Sequence, residues 1–98
     1  MSEIAPAKAA THAWAKELSR RVGRHGVTVN CIAPANIMSE QILRKYTPEQ
    51  LKKTEGQIPI GRWGKPEEFA ELAVHIVQNN HLNGETIRLD GSLRMAPR

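Results

Sequence analysis

The chain has 98 residues, 40% of them hydrophobic and 24% charged, with a net charge of +4 from 14 Lys and Arg against 10 Asp and Glu. That composition describes one globular domain or part of one, and it excludes a disordered, fibrous or collagen-like chain. The positive charge falls in separate groups (Lys16 with Arg20, Arg21 and Arg24; Arg44 with Lys45; Lys52 with Lys53) rather than in a stripe interleaved with aromatics, which argues against a nucleic-acid partner.

From about Ala5 to Val22 the residues Ala7, Ala10, Trp14, Leu18 and Val22 recur at three- and four-residue steps, predicting a helix over 5–22 with that stripe buried. Pro6 suits the first turn, Arg20, Arg21 and Arg24 meet the negative end of the helix dipole, and Gly23 and Gly26 stop it. "VTVNCIA", residues 27–33, reads as a strand covered on both faces and ended by Pro34. Residues 36–65 have no single period: "SEQILRKY" and "TPEQLKKTEG" predict two short helices, the second with Thr47 as N-cap and Pro48 at its first position. A long excursion after a buried strand is a common place for α/β proteins to bind substrates.

"KPEEFAELAVHIVQNN" predicts a helix over 66–78, with Glu67 and Glu68 at its positive end and Phe69, Leu72, Ala73, Ile76 and Val77 on its buried face. "GETIRLDGS" follows as a strand over 86–90, stopped by Asp90-Gly91. This order implies a right-handed crossover joining two parallel strands, an α/β arrangement that is incomplete as a stand-alone domain. Parallel sheets are built of several strands with both faces covered, so strand 27–33 is expected to need a neighbour on its other side.

Cys31 is the single cysteine, so no internal disulfide can form; it is expected to be a small buried hydrophobe. No Cys/His pair has metal-ligand spacing, and His12, His25, His75 and His81 are scattered, so neither a metal nor a Cys/His hydrolase is expected. No apolar run approaches the roughly 20 residues that cross a bilayer, and "MSEIAPAK" lacks the layout of a secretory signal, so the expected location is cytoplasmic, without a membrane partner.

"APAKAA" opening a helix, then "VTVNCIAPANIMS", "IPIGRWGKPEEFAELA" and "LNGETIRLDGS", resembles in order and spacing the C-terminal portion of the short-chain dehydrogenase/reductase family, particularly 3-oxoacyl-carrier-protein reductases. The resemblance covers essentially the whole chain. It implies a partial Rossmann-like doubly wound parallel sheet, of which residues 1–98 supply the last two strands and their helices. It also implies NAD or NADP as cofactor and carbonyl reduction or alcohol oxidation on a small molecule as activity.

The family's Tyr-x-x-x-Lys pair stacks on one helix face, the tyrosine exchanging a proton with the reacting oxygen and the lysine holding the cofactor ribose and lowering the tyrosine's pKa. By resemblance Lys8 holds the lysine position, and Ile4, which has no proton to exchange, holds the tyrosine position. The family's Pro-Gly-x-Ile/Val-x-Thr segment lines the nicotinamide pocket and corresponds to Pro34, Ala35, Ile37 and Ser39, with Ala35 in place of glycine. A Cβ at Ala35 would be costly if the backbone there needed positive φ. Ser92 replaces a second family glycine after Asp90-Gly91.

The family's Gly-rich phosphate turn and carbonyl-polarising serine would lie upstream of this helix, and Ser2 is too close to Lys8 to serve as that serine. The expectation is therefore a truncated oxidoreductase, inactive and without bound cofactor on its own. The alternative is a non-catalytic module that pairs with itself or with a fuller reductase chain. Trp14, His12 and Leu18 are candidates for such a surface, and Trp14 as intramolecular core is equally compatible with its spacing.

Overall fold

The computed structural model describes residues 4–92, with side chains from residue 7 onwards. Helix α1 (Ile4–Val22) runs through a 3-10 turn (Gly23–His25) to strand β1 (Cys31–Pro34). Helices α2 (Glu40–Lys45), α3 (Pro48–Glu55) and α4 (Pro66–Gln78) follow, and strand β2 (Thr86–Leu89) pairs with β1 in a two-stranded sheet. The strands are parallel, with the Cys31 N–H donating to Glu85 O at 2.9 Å and the Ala35 N–H donating to Leu89 O at 3.1 Å. The described residues form two compact units, residues 4–32 with 73–87 and residues 33–72 with 88–92.

In the first unit, α1 turns a face of small residues inward. Ala15 is 4% exposed and Ser19 3%, and the Ser19 hydroxyl is satisfied by donating to Lys16 O at 2.6 Å. Gly84, at φ +76°, approaches so closely that a Cβ there would stand 2.7 Å from the Ser19 Oγ. This corrects the expected orientation of α1. Ala7, Ala10 and Trp14 face solvent, Trp14 at 63% exposure, and of the predicted stripe only Leu18 and Val22 are half-buried. Alanines on every side of the helix blur its apolar phase, and the closest packing is made where side chains are smallest.

The ladder of β1 is also shorter than the predicted 27–33. Val29 keeps one backbone bond, its O accepting from Gly84 N–H at 2.9 Å, and side chains supply the rest: the Asn83 Oδ1 accepts from Val29 N–H at 2.9 Å, and the Asn30 Oδ1 accepts from Glu85 N–H at 3.1 Å. Asn30 Nδ2 in turn donates to Leu82 O at 3.0 Å. His12 Nδ1 and Thr86 Oγ1 share a hydrogen bond at 3.0 Å, tying α1 to β2. Cys31 is half-buried rather than buried, because β1 lacks a cover on part of its surface.

In the second unit, Ile58 is the most buried apolar side chain, 4% exposed. Helix α3 opens with a full capping box, Thr47 accepting from Gln50 N–H at 3.2 Å and Gln50 Oε1 accepting from Thr47 N–H at 2.8 Å. On α4, whose residues 66–72 belong to this unit and 73–78 to the first, the predicted face holds for Leu72, Ala73 and Ile76, which are half-buried, whereas Phe69 is exposed and Val77 is 80% exposed.

Ser92 lies at φ +74°, a left-handed conformation that disfavours a Cβ. Its N–H bonds the Asp90 Oδ1 at 2.9 Å, a backbone contact that glycine would keep. Ser92→Gly is therefore expected to raise stability by about 0.5–1 kcal/mol, after allowing for glycine's freer unfolded state, as an increase in the urea midpoint at unchanged slope.

Candidate functional site

The segment that follows β1 makes the most specific backbone arrangement in the second unit. After Ala35 closes the ladder, Asn36 takes φ +55°, a conformation asparagine tolerates better than most residues. The left-handed turn therefore falls on Asn36 and not on Ala35, so the strain expected from the missing family glycine does not arise through φ.

The turn then engages Gly64. The Gly64 N–H donates to Asn36 O at 2.8 Å, and the Met38 N–H donates to Gly64 O at 2.9 Å, forming a single parallel bridge between Ile37 and Gly64. In such a bridge the flanking residues make both hydrogen bonds, so the N–H and C=O of Ile37 itself point away from Gly64 and take no backbone partner among the described residues. Gly64 lies close against Ile37: a Cβ there would stand 2.5 Å from the Ile37 Cδ1, so that side chain would have to shift.

Ser39 caps α2, its Oγ accepting from Ile42 N–H at 3.3 Å, which leaves the hydroxyl proton free to donate. Pro34 ends β1 with its side chain exposed. Thus Pro34, Ala35, Ile37 and Ser39 lie in one unit, and Lys8 lies in the other. Lys8 is exposed on α1, in line at helical steps with His12, Ala15 and Ser19, the inward line of that helix. Ile4 lies one turn earlier in α1, its side chain outside the described residues, as is Ser2.

Sequence reasoning missed what holds Gly64 in place. Arg62 and Glu68 form a two-pronged ion pair, Nη1 to Oε1 at 2.8 Å and Nη2 to Oε2 at 2.7 Å. Arg62 Nη1 also donates to Trp63 O at 3.0 Å, and Glu68 Oε1 accepts from Lys65 N–H at 2.7 Å, so the pair clasps both flanks of Gly64. The visible signal was only half of it. Glu68 at the third position of α4 is a capping residue, but nothing periodic marks an arginine six residues upstream.

The Arg62 hydrogen bonds, followed by the one from Lys65, lower the Glu68 carboxyl from the ordinary 4.5 to about 2. Because the folded value is the depressed one, the pair stabilises fully above pH 4.5, and its contribution fades as pH falls towards 2. A carboxyl-carbon NMR titration is expected to give Glu68 a midpoint near 2, and Arg62→Gln should raise it part of the way towards 4.5, the bond from Lys65 N–H remaining.

Beneath the turn lies a recess of about 90 Å³, bordered by Ala35, Ile37, Gly64 and Leu89. Ligand pockets run to about 300–1,000 Å³, so this is packing space and not a substrate pocket. A larger recess of about 240 Å³ opens between α2 and α3, walled by Ile42, Tyr46, Leu51 and Trp63, whose Nε1 donates to Leu51 O at 3.1 Å. Among the described residues no group of three His, Cys, Asp or Glu side chains could hold a metal, and no helix is long and apolar enough to cross a membrane.

Residues 2–93 match a family model described as enoyl-(acyl carrier protein) reductase. The chain is 35% identical over 94 residues to the rhamnolipids biosynthesis 3-oxoacyl-(acyl-carrier-protein) reductase of Pseudomonas aeruginosa, a match that takes in 92% of this chain and 36% of that protein. It is 36% identical over 86 residues to the 3-oxoacyl-(acyl-carrier-protein) reductase of Thermotoga maritima, covering 85% of this chain and 32% of the relative. The crystal structure of 3-hydroxyacyl-CoA dehydrogenase type-2 from Mycobacterium avium superposes with a TM-score of 0.86 at 35% identity, over 96% of this chain and 36% of that one. The chain thus spans little more than a third of the length of these proteins.

Proposed function

This chain belongs to the short-chain dehydrogenase/reductase family, and we propose that it is the C-terminal portion of an NAD- or NADP-dependent oxidoreductase that interconverts a carbonyl and an alcohol. Relatives named for 3-oxoacyl-(acyl-carrier-protein) reduction support a 3-oxoacyl thioester as the substrate class. The observation that carries this reading is Ile37, clamped to Gly64 by its neighbours, its own N–H and C=O pointing away from Gly64 and without a backbone partner among the described residues. A primary carboxamide offers the complementary acceptor and donor, and the Ser39 hydroxyl, two residues on, can donate a further bond.

When bound, a nicotinamide supplies or accepts the hydride. Pro34 and Ala35 shape the wall, the Ile37 peptide groups and Ser39 orient the carboxamide, and Lys8 is assigned to the ribose hydroxyls. Ile4 cannot move a proton, and the loss of a general acid or base alone forfeits about 10²–10⁴ in rate. The 98-residue chain by itself is therefore proposed to be inactive and not to retain cofactor.

A second reading is favoured by the exposed apolar stripe of Ala7, Ala10 and Trp14, with Trp14 63% exposed. It holds that the chain acts by pairing, with itself or with a fuller reductase subunit. The purified chain is expected to show no NADH or NADPH oxidation with a 3-oxoacyl thioester. Clear turnover abolished by Lys8→Ala would overturn the proposed inactivity. Light scattering separates the readings: a lone monomer that ignores intact family subunits removes the second.

A further inference from the structure

We propose that the Arg62–Glu68 ion pair is a positioning device for Ile37, fixing Gly64 and thereby setting the direction in which the Ile37 peptide groups face. Three observations meet here. The pair reaches the backbone on both sides of Gly64, at Trp63 O and at Lys65 N–H. Gly64 makes two backbone hydrogen bonds, and both go to the residues flanking Ile37. The Ile37 side chain also lies against Gly64, its Cδ1 2.5 Å from where a Cβ on Gly64 would stand.

Residues 61–65 thus cannot rotate without turning Ile37. The pair is two-pronged and charged at both ends, and Arg62 is the guanidinium that makes this geometry possible: a lysine ammonium keeps the charge but lacks the planar fork of two parallel N–H groups. Glu68 serves a second purpose as the cap of α4, so the clasp is anchored to a helix end and not to a loose loop. The functional importance of the clasp rests on the reading of Ile37 as the carboxamide-contacting residue. The mechanical coupling does not.

Amide hydrogen exchange, read by NMR on the whole chain, tests the coupling. Glu68→Gln keeps an oxygen for Lys65 N–H while removing the charge, and Arg62→Gln removes the fork. Each is expected to speed exchange at the Met38 and Gly64 amides about tenfold, as loss of a charge-assisted bond would. The Ala35 amide, bonded to Leu89 O in the same unit, should change little. Arg62→Lys should restore Met38 and Gly64 to within about threefold of the wild type.

Unchanged exchange at Met38 and Gly64, or equal acceleration at Ala35, would overturn the proposal. If Arg62→Gln does not fold, the Glu68→Gln chain still decides between these outcomes. Failure of the cofactor reading would appear separately, as absence of Ile37 and Ser39 shift changes when NADP is titrated against this chain paired with an intact reductase. The amide pattern would be unaffected.

Discussion

Replacing Gly91 with alanine is expected to destabilise the second unit by roughly 2–4 kcal/mol, from strain in the backbone and a collision of side chains. Gly91 sits at φ +60°, and an added Cβ would stand 2.7 Å from Ile60 Cγ2 and 2.9 Å from Ile58 Cγ2. Both neighbours are β-branched, with few rotamers to escape into, and Ile58 is the buried apolar centre of its unit. The backbone cannot retreat freely either, since the Ile60 N–H donates to Gly91 O at 3.2 Å. Gly61→Ala is the control: φ is +90° but nothing lies within 4 Å of the added Cβ, so only the backbone cost of about 1–2 kcal/mol remains. Urea unfolding of the two variants should show the larger midpoint loss for Gly91→Ala; equal losses would remove the collision from the account.

Asn83→Ala is expected to cost the first unit about 1–2 kcal/mol, because one amide bonds two backbone groups, and one of them, the Val29 N–H, has no other partner among the described residues. Its Oδ1 accepts from Val29 N–H at 2.9 Å, and its Nδ2 donates to Ser19 O at 3.2 Å. Ser19 O is among the last carbonyls of α1, where helical acceptors run out of donors. Asn83 therefore closes a helix end and holds the lead-in to β1 with the same side chain. Asn83→Asp keeps the acceptor and loses the donor, so its loss should be smaller. Val29 and Gly84 amide exchange should rise in Asn83→Ala, since Gly84 N–H bonds Val29 O next to the lost contact.

The legible parts of the fold were those written by local chemistry. Thr47 and Pro48 announced α3, and the structure has the complete capping box there. Asp90-Gly91 marked the end of β2. The inner face of α1 was not legible, because alanine is apolar enough to suggest burial and small enough to be left outside at little cost. Ser19, polar by type, is buried by virtue of its bond to Lys16 O. The extent of β1 was hidden for a related reason. Val27 to Asn30 have strand character, but their partners are Asn83 and the turn at Gly84, set by contacts more than fifty residues apart in sequence.

At the candidate site, residue types pointed to Ile37 and Ser39 through family resemblance, and the structure adds what those types could not convey. The Ile37 peptide groups point away from Gly64, a glycine 27 positions later that bonds both of Ile37's neighbours. Neither Gly64 nor the Arg62–Glu68 pair carries a periodic mark in the chain. Asn36, unremarked in the sequence, takes the left-handed conformation that was weighed only as a condition at its neighbour Ala35.

The two tryptophans fall one to each unit, and in unlike surroundings. Trp14 stands 63% exposed on α1, whereas Trp63 is half-buried with its indole N–H held by Leu51 O. Their fluorescence can thus be told apart: Trp14→Phe should leave a bluer emission shielded from acrylamide, and Trp63→Phe a redder one open to it. Each single-tryptophan chain becomes an optical gauge of one unit, able to reveal whether the two melt together or in turn.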